Sequence, residues 1–146
     1  MPSLKKEILQ RGYIAHNIRI APKSRHIVTK VVINGHTARF IIDTGASASC
    51  INERLIDDFQ LIPEVMNQQI GTASGSLIPK VAHNNVLELG EWRYENASIL
   101  TMDMTFINNA LKSEGMRSVH GLLGADYLIA SQAIIDYGKE QIYLKP

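Results

Sequence analysis

The sequence predicts an all-β fold carrying one or two short helices. Three observations point to it: two β-rich runs meet at Asn34-Gly35, two more flank Gly90-Glu91, and a last pair closes the chain around Gly138-Lys139. Short β-rich runs punctuated by such dipeptides are hairpin signals, because tight turns need residues that tolerate positive φ.

Gly12 to Ala21 alternates loosely and stops at Pro22, which makes it a first strand. His26–Ile33 and His36–Ile42 are the arms of the next hairpin, and Asn34-Gly35 suits a type I′ turn with positive φ at both positions. The second arm runs directly into Asp43-Thr44-Gly45-Ala46-Ser47. From Ser49 to Leu61 the period changes. Ile51, Leu55 and Phe59 share a face, Asn52 is available as a cap and Pro63 ends the run, so a short helix is expected. Gln68 to Leu89 has strand-like runs around Thr72-Ala73-Ser74-Gly75-Ser76, a hairpin expected to have a mobile tip. Val86–Leu89 and Arg93–Met102 form another hairpin, and Phe106 to Gly115 reads as a short helix or an ordered loop. Gly121 to Ala130 starts as an apolar strand and turns helical after Gly124; Ala133–Tyr137 and Gln141–Leu144 are the closing strands. With no repeat, low-complexity tract or linker, residues 1–146 are expected to form one domain, residues 1–25 being an N-terminal strand and extension.

Composition excludes several classes of function. With 45% hydrophobic and 20% charged residues the chain is globular in type, and a domain of this size buries roughly 70% of its unfolded surface without help from a metal or disulfide. Fifteen basic residues against fourteen acidic ones leave a net charge of +1, which is no footprint for nucleic acid. Cys50 is the only cysteine and no Cys/His cluster has zinc-ligand spacing, so neither a metal nor another cofactor is expected. No apolar run is long enough to span a bilayer. The opening Met1-Pro2-Ser3-Leu4-Lys5-Lys6-Glu7 is not followed by the apolar stretch of a signal peptide, so the cytoplasm is the expected address.

The chemistry concentrates at Phe40-Ile41-Ile42-Asp43-Thr44-Gly45-Ala46-Ser47. A carboxylate directly after three large apolar residues is costly to bury without donors. Gly45 permits a tight loop whose backbone N–H is aimed at the carboxylate, and the Thr44 hydroxyl can donate or accept. A strand that ends in a carboxylate on a narrow loop is a platform for acid–base work. The tripeptide alone reads better as an ordinary turn; the apolar triplet before it and the small residues after it shift the balance to the platform.

At these residues the chain resembles the retropepsins, the single-domain aspartic proteases of retroviruses and their bacterial and cellular relatives. Asp43-Thr44-Gly45-Ala46 after Phe40-Ile41-Ile42 matches the family's active-site motif residue for residue. Gly121-Leu122-Leu123-Gly124-Ala125-Asp126-Tyr127-Leu128 looks like the apolar-apolar-glycine strand and short helix near the family's C-terminus. Ile70 to Val81 is similar to the flap hairpin. Together these span the chain from about His26 to Leu128. The resemblance implies a closed partial β-barrel with a flap, and hydrolysis of peptide or protein substrates by an aspartic endopeptidase. This chain has one Asp-Thr-Gly, so the implied site is shared by a homodimer with an Asp43 from each copy. Two carboxylates that close share one proton; the ionised one activates water while the protonated one hydrogen-bonds the scissile carbonyl. By the family pattern Thr44 ties the two loops together, Gly45 and Ser47 contact the substrate main chain, Ala46 lines a pocket, and Ser74, Gly75 and Ser76 form the flap tip over an extended peptide.

One departure stands out. The viral enzymes pair an acidic residue four positions after the catalytic aspartate with an arginine after the C-terminal glycine, whereas this chain has Ser47 and Ala125 there. Both members are absent together, so no lone buried charge remains, but dimer geometry is put in question. Asp136-Tyr137-Gly138 after Ile134-Ile135 superficially repeats the motif, yet Tyr137 sets a bulky ring where the loop needs a small hydroxyl. Asp136 is read as a strand end and Asp126 as a cap or anchor for the short helix. The alternative function is a catalytically silent peptide-binding or dimerisation module on the same fold.

Overall fold

The computed structural model describes residues 3–66, 70–72, 75–77 and 80–146. Helix α1 (Leu4–Gln10), short strands β1 (Ile14–Asn17) and β2 (Arg19–Ile20), and the hairpin β3 (Ile27–Ile33) and β4 (His36–Ile42) come first. β5 (Cys50–Asn52), β6 (Pro63–Val65), β7 (Ile70–Thr72) and β8 (Gly75–Leu77) follow, then the long hairpin β9 (Lys80–Leu89) and β10 (Trp92–Met102). Helix α2 (Thr105–Ser113), β11 (Gly121–Leu123), α3 (Ala125–Ala130), β12 (Ile134–Asp136) and β13 (Gln141–Leu144) complete the order.

Six of the described strands close into a ring, in the order β3-β4-β11-β5-β10-β9, because β9 pairs back onto β3 through Val32↔Glu88 and Ile33↔Leu87. The seam is held at the first hairpin turn. Asn34 and Gly35 both take positive φ, as the dipeptide predicts, at 50° and 82°. The Asn34 side chain donates to the Phe59 carbonyl and to Asn85 Oδ1, and accepts from the Val86 N–H at 2.9 Å. Asn85 is itself buried and donates to the Ala82 and Ala97 carbonyls, so the polar group closing the barrel is satisfied.

The barrel interior holds Val31, Phe40, Ile42, Ile51, Leu89 and Leu123 among others, while a second cluster forms outside, where Met104, Leu111 and Val119 cover Val28 and Ile41. This explains the unbroken apolar run Phe40-Ile41-Ile42. Alternate residues of a strand point to opposite faces, and here both faces are buried. β1, β13 and β12 form a separate three-stranded sheet with β13 in its centre.

The structure corrects one expected element. Ser49 to Leu61 is not a helix: Cys50–Asn52 is strand β5, antiparallel to β11 and parallel to β10, followed by a 3-10 turn at Glu53–Leu55 and further turns. Ile51 is fully buried between its neighbours, and pairing on both sides outweighs the local helical spacing. Asn52 still caps, its side chain accepting from the Arg54 N–H. Leu4–Gln10, for which no element is expected, is a helix with Ser3 as its N-cap. The β7–β8 pair lies where the flap hairpin is expected, Thr72 opposite Gly75; Ala73 and Ser74 lie outside the described residues. No helix among the described residues is long and apolar enough to cross a membrane.

Candidate active site

β4 and β5 are consecutive strands of the barrel, yet they do not pair with each other. β11 lies between them, parallel to β4 and antiparallel to β5. The loop joining β4 to β5, residues 43–49, must therefore cross the end of β11. Ile42 is in register with Leu123, so Asp43 and Gly124 leave the barrel side by side.

Backbone contacts hold the crossing. The Asp43 N–H donates to the Leu123 carbonyl at 2.9 Å, and the Ala125 N–H donates to the Ala46 carbonyl at 2.7 Å. Within the loop the Ala46 N–H donates to the Asp43 carbonyl at 3.1 Å, closing a tight turn. The Gly45 N–H donates to Asp43 Oδ1 at 2.9 Å, the donor that the sequence motif calls for. Asp43 is half-buried, whereas Thr44, Gly45 and Ser47 are exposed and Ala46 is half-buried. Gly75 and Ser76 lie in β8, opposite Thr72 and Gly71. Ser74 is outside the described residues.

Two glycines permit the crossing by close approach and not by unusual dihedrals. A Cβ on Gly124 would stand 2.7 Å from the Ala46 carbonyl oxygen and 2.9 Å from the Ala48 backbone. On Gly121 it would meet the Cys50 carbonyl oxygen at 2.3 Å. Gly124 itself is in extended backbone, open to any residue on φ alone.

Local reading of the sequence missed the anchor of the loop's far end. Ser49, almost fully buried, donates its hydroxyl to Asp126 Oδ1 at 2.7 Å and accepts from the Gly124 N–H at 2.8 Å. Its backbone N–H donates to Asp126 Oδ2 at 2.9 Å. The Tyr127 N–H also donates to Asp126 Oδ1, at 2.9 Å. Asp126 thus anchors both its helix, as expected, and the loop. α3 is fixed in turn by Tyr127, whose hydroxyl donates to the Ser98 carbonyl at 2.6 Å and accepts from the Ser98 N–H; burial pushes this phenol up to about 12. This polar tie lies two residues from Ser47 and one from Ala125, the positions at which the sequence departs from the expected ion pair. The one available signal was Asp126 directly after Gly124-Ala125.

Cys50 follows Ser49 and is buried in β5. Desolvation pushes its thiol up to about 11, with smaller contributions from the Asp43 and Asp126 charges, so it is a packing residue and a poor nucleophile. Asp136, the other aspartate after an apolar pair, accepts from the Lys139 N–H at 3.0 Å and closes the β12–β13 turn.

Residues 29–127, more than half of the chain, match the aspartyl protease family model, and the chain belongs to that family. No curated protein matches its sequence. Among solved structures it is similar to a retropepsin-like aspartic protease from Rickettsia conorii at a TM-score of 0.61 and 17% identity, covering 91% of this chain and 89% of that one. It is similar to the EIAV protease complexed with the inhibitor HBY-793 at a TM-score of 0.58 and 16% identity, covering 80% and 97%. The retroviral protease-like domain of Ddi1 from Leishmania major aligns at a TM-score of 0.55 and 16% identity, covering 80% and 86%. At these identities the likeness is one of fold: a closed, barrel-like sheet with short helices, of the retropepsin type.

Proposed function

We propose that this protein is an aspartic endopeptidase that hydrolyses peptide bonds as a homodimer, with one Asp43 from each copy. The observation that carries the reading is the Asp43-Thr44-Gly45 loop itself: a half-buried carboxylate at the paired ends of β4 and β11, with a backbone N–H on Oδ1 and an exposed outer face. Family membership supports the chemistry. A chain of 146 residues with a single Asp-Thr-Gly supplies half of a two-carboxylate site, and exposed Thr44, Gly45 and Ser47 leave that half open to a second loop and to substrate.

In this mechanism the two Asp43 carboxylates share one proton. The ionised one takes a proton from a water, which attacks the scissile carbonyl, while the protonated one hydrogen-bonds the carbonyl oxygen. The tetrahedral adduct collapses when the leaving amine is protonated, and no acyl-enzyme forms. Thr44 links the loops, Gly45 and Ser47 bind the substrate main chain, Ala46 lines a side-chain pocket, and Ser74, Gly75 and Ser76 cover the peptide. The test is Asp43→Asn, nearly isosteric but unable to act as a base. Turnover of a mixed peptide library should fall to background while circular dichroism and oligomeric state stay at wild type. Undiminished turnover removes Asp43 from the mechanism, and a wild type with no turnover leaves the silent binding module.

A further inference from the structure

The outer face of the barrel carries an open groove of about 1000 Å³, away from the Asp43 loop. Arg19, Lys30, Arg39 and Arg117 line it, with His120 at one end and no carboxylate among the lining residues. Lys30 and Arg39 stand directly opposite each other across β3 and β4, a like-charge pairing that a sheet ordinarily avoids. The Arg39 guanidinium donates to the Ser118 carbonyl, which fixes it against the far wall. Burial, with Arg117 and Arg19 close by, holds Arg39 below the usual guanidinium range. At His120 the charge of Asp58 acts against those of Arg39 and Arg117. Among the described residues, none of the four cations makes an ion pair.

We propose that this groove docks an acidic, extended segment of a protein substrate, whose Asp and Glu carboxylates pair with Arg19, Lys30, Arg39 and Arg117. Calling the owner of the segment a substrate rests on the protease reading; the binding itself does not. The cations come from β2, from the β3–β4 pair and from the segment before β11, so they are spread along the groove and match spaced carboxylates better than one compact phosphate. The rest of the chain carries eleven basic residues against fourteen acidic ones, net −3, which disfavours a long polyanion such as nucleic acid. Arg39, in β4, precedes Asp43 just beyond the strand's end by four residues, a span of about 13 Å, so a docked segment lies a few extended residues from the peptide bond to be cut.

The experiment uses the Asp43→Asn protein, so that nothing is cleaved, and a fluorescein-labelled peptide of alternating Asp, Glu and Gly followed by anisotropy. The acidic peptide should bind, its Asn/Gln counterpart should not, and binding should weaken markedly between about 0.05 and 0.5 M salt. Lys30→Gln combined with Arg117→Gln, both exposed side chains, should weaken it about tenfold while leaving hydrolysis of a short neutral peptide by the otherwise wild-type enzyme unchanged. Equal binding of the neutral peptide, indifference to these substitutions, or no binding at all overturns the proposal. Tighter binding of tripolyphosphate or of a single-stranded oligonucleotide overturns the assigned occupant. Absence of hydrolysis by the wild type counts against the protease reading alone, since the binding assay requires no turnover.

Discussion

Replacing Asp126 with Asn tests whether the loop is held by the geometry described above. Asp126 accepts from three donors: the Ser49 hydroxyl and the Tyr127 N–H on Oδ1, and the Ser49 N–H on Oδ2. An amide keeps the volume but presents a donor on one side, so either the Ser49 N–H or the Tyr127 N–H faces another N–H. The remaining bonds also lose charge assistance. Hydrogen bonds to charged groups contribute about 1.5–3 kcal/mol, and a buried donor left unpaired costs about 1–3 kcal/mol, so the expected loss is about 2–3 kcal/mol. That is a large share of a total stability of about 5–15 kcal/mol. Ser49→Ala should cost a similar amount, because the Gly124 N–H loses its acceptor along with the Asp126 bond. The two changes act on one network, so the double variant should fall short of additivity by about 1–2 kcal/mol. Urea unfolding of the four proteins measures this, with Asp136→Asn, in a surface turn, as a control expected within about 0.5 kcal/mol of wild type. An Asp126→Asn loss no larger than that control, or full additivity, would refute the anchoring role.

Three further outcomes are expected from the packing and burial of single residues. Gly121→Ala should be among the most damaging single substitutions, above about 3 kcal/mol, because its Cβ would lie 2.3 Å from the Cys50 carbonyl oxygen; folded protein near wild-type stability would contradict the packing. Gly45→Ala, whose nearest contact is Asp43 Oδ1 at 3.4 Å, should fold normally in the same urea assay. Burial holds His16 and His120 below their ordinary value of 6.5, so the unfolded chain binds protons there that the folded one refuses. Stability should therefore be complete above that value and fall as pH drops through it; His16→Gln should shrink the difference in urea midpoint between about pH 7 and pH 5, and an unchanged difference would exclude His16 as a contributor.

The sequence revealed most where the deciding interactions are local. Asn34-Gly35 names its own turn, Gly90-Glu91 and Gly138-Lys139 sit in theirs, and Gly121 to Ala130 does pass from strand to helix at Gly124. It failed where partners are distant. Ile51, Leu55 and Phe59 have helical spacing, but Cys50–Asn52 is claimed by β10 and β11, about 50 and 70 residues downstream, which no window around Ser49 contains. The Ser49–Asp126 tie spans 77 residues, and the sequence marks only its Asp126 end, as a helix anchor, with nothing to point to Ser49. α1 was open to a closer reading: Ser3 followed by Leu4, Lys5, Lys6 and Glu7 is a cap before helix formers, but one buried residue, Ile8, supplies too little apolar period to announce it.

A two-carboxylate site needs a second aspartate, and two of the chain's other aspartates are already engaged. Asp136 is bound into its turn by the Lys139 N–H, and Asp126 is consumed by Ser49 and Tyr127. The proposed partner is therefore another Asp43, and the terminal sheet bears on how the second copy adds. β13 is central, paired with β1 on one side and β12 on the other, and Ile142, Tyr143 and Leu144 are buried. Its hydrogen bonds are used within the chain, so it cannot pair with a partner. For the proposed dimer, the loop itself, the β1 and β12 edges, and exposed apolar side chains such as Ile134 and Tyr137 are available contacts. An interface assembled from short edges is expected to dissociate on dilution. Specific activity should rise with enzyme concentration until the dimer saturates, and excess Asp43→Asn protein should suppress it by forming mixed dimers with one carboxylate. Sedimentation under the same conditions gives the monomer fraction independently. Full activity per chain in a sample shown to be monomeric would mean that catalysis needs no second copy, and the paired-Asp43 mechanism would have to be abandoned.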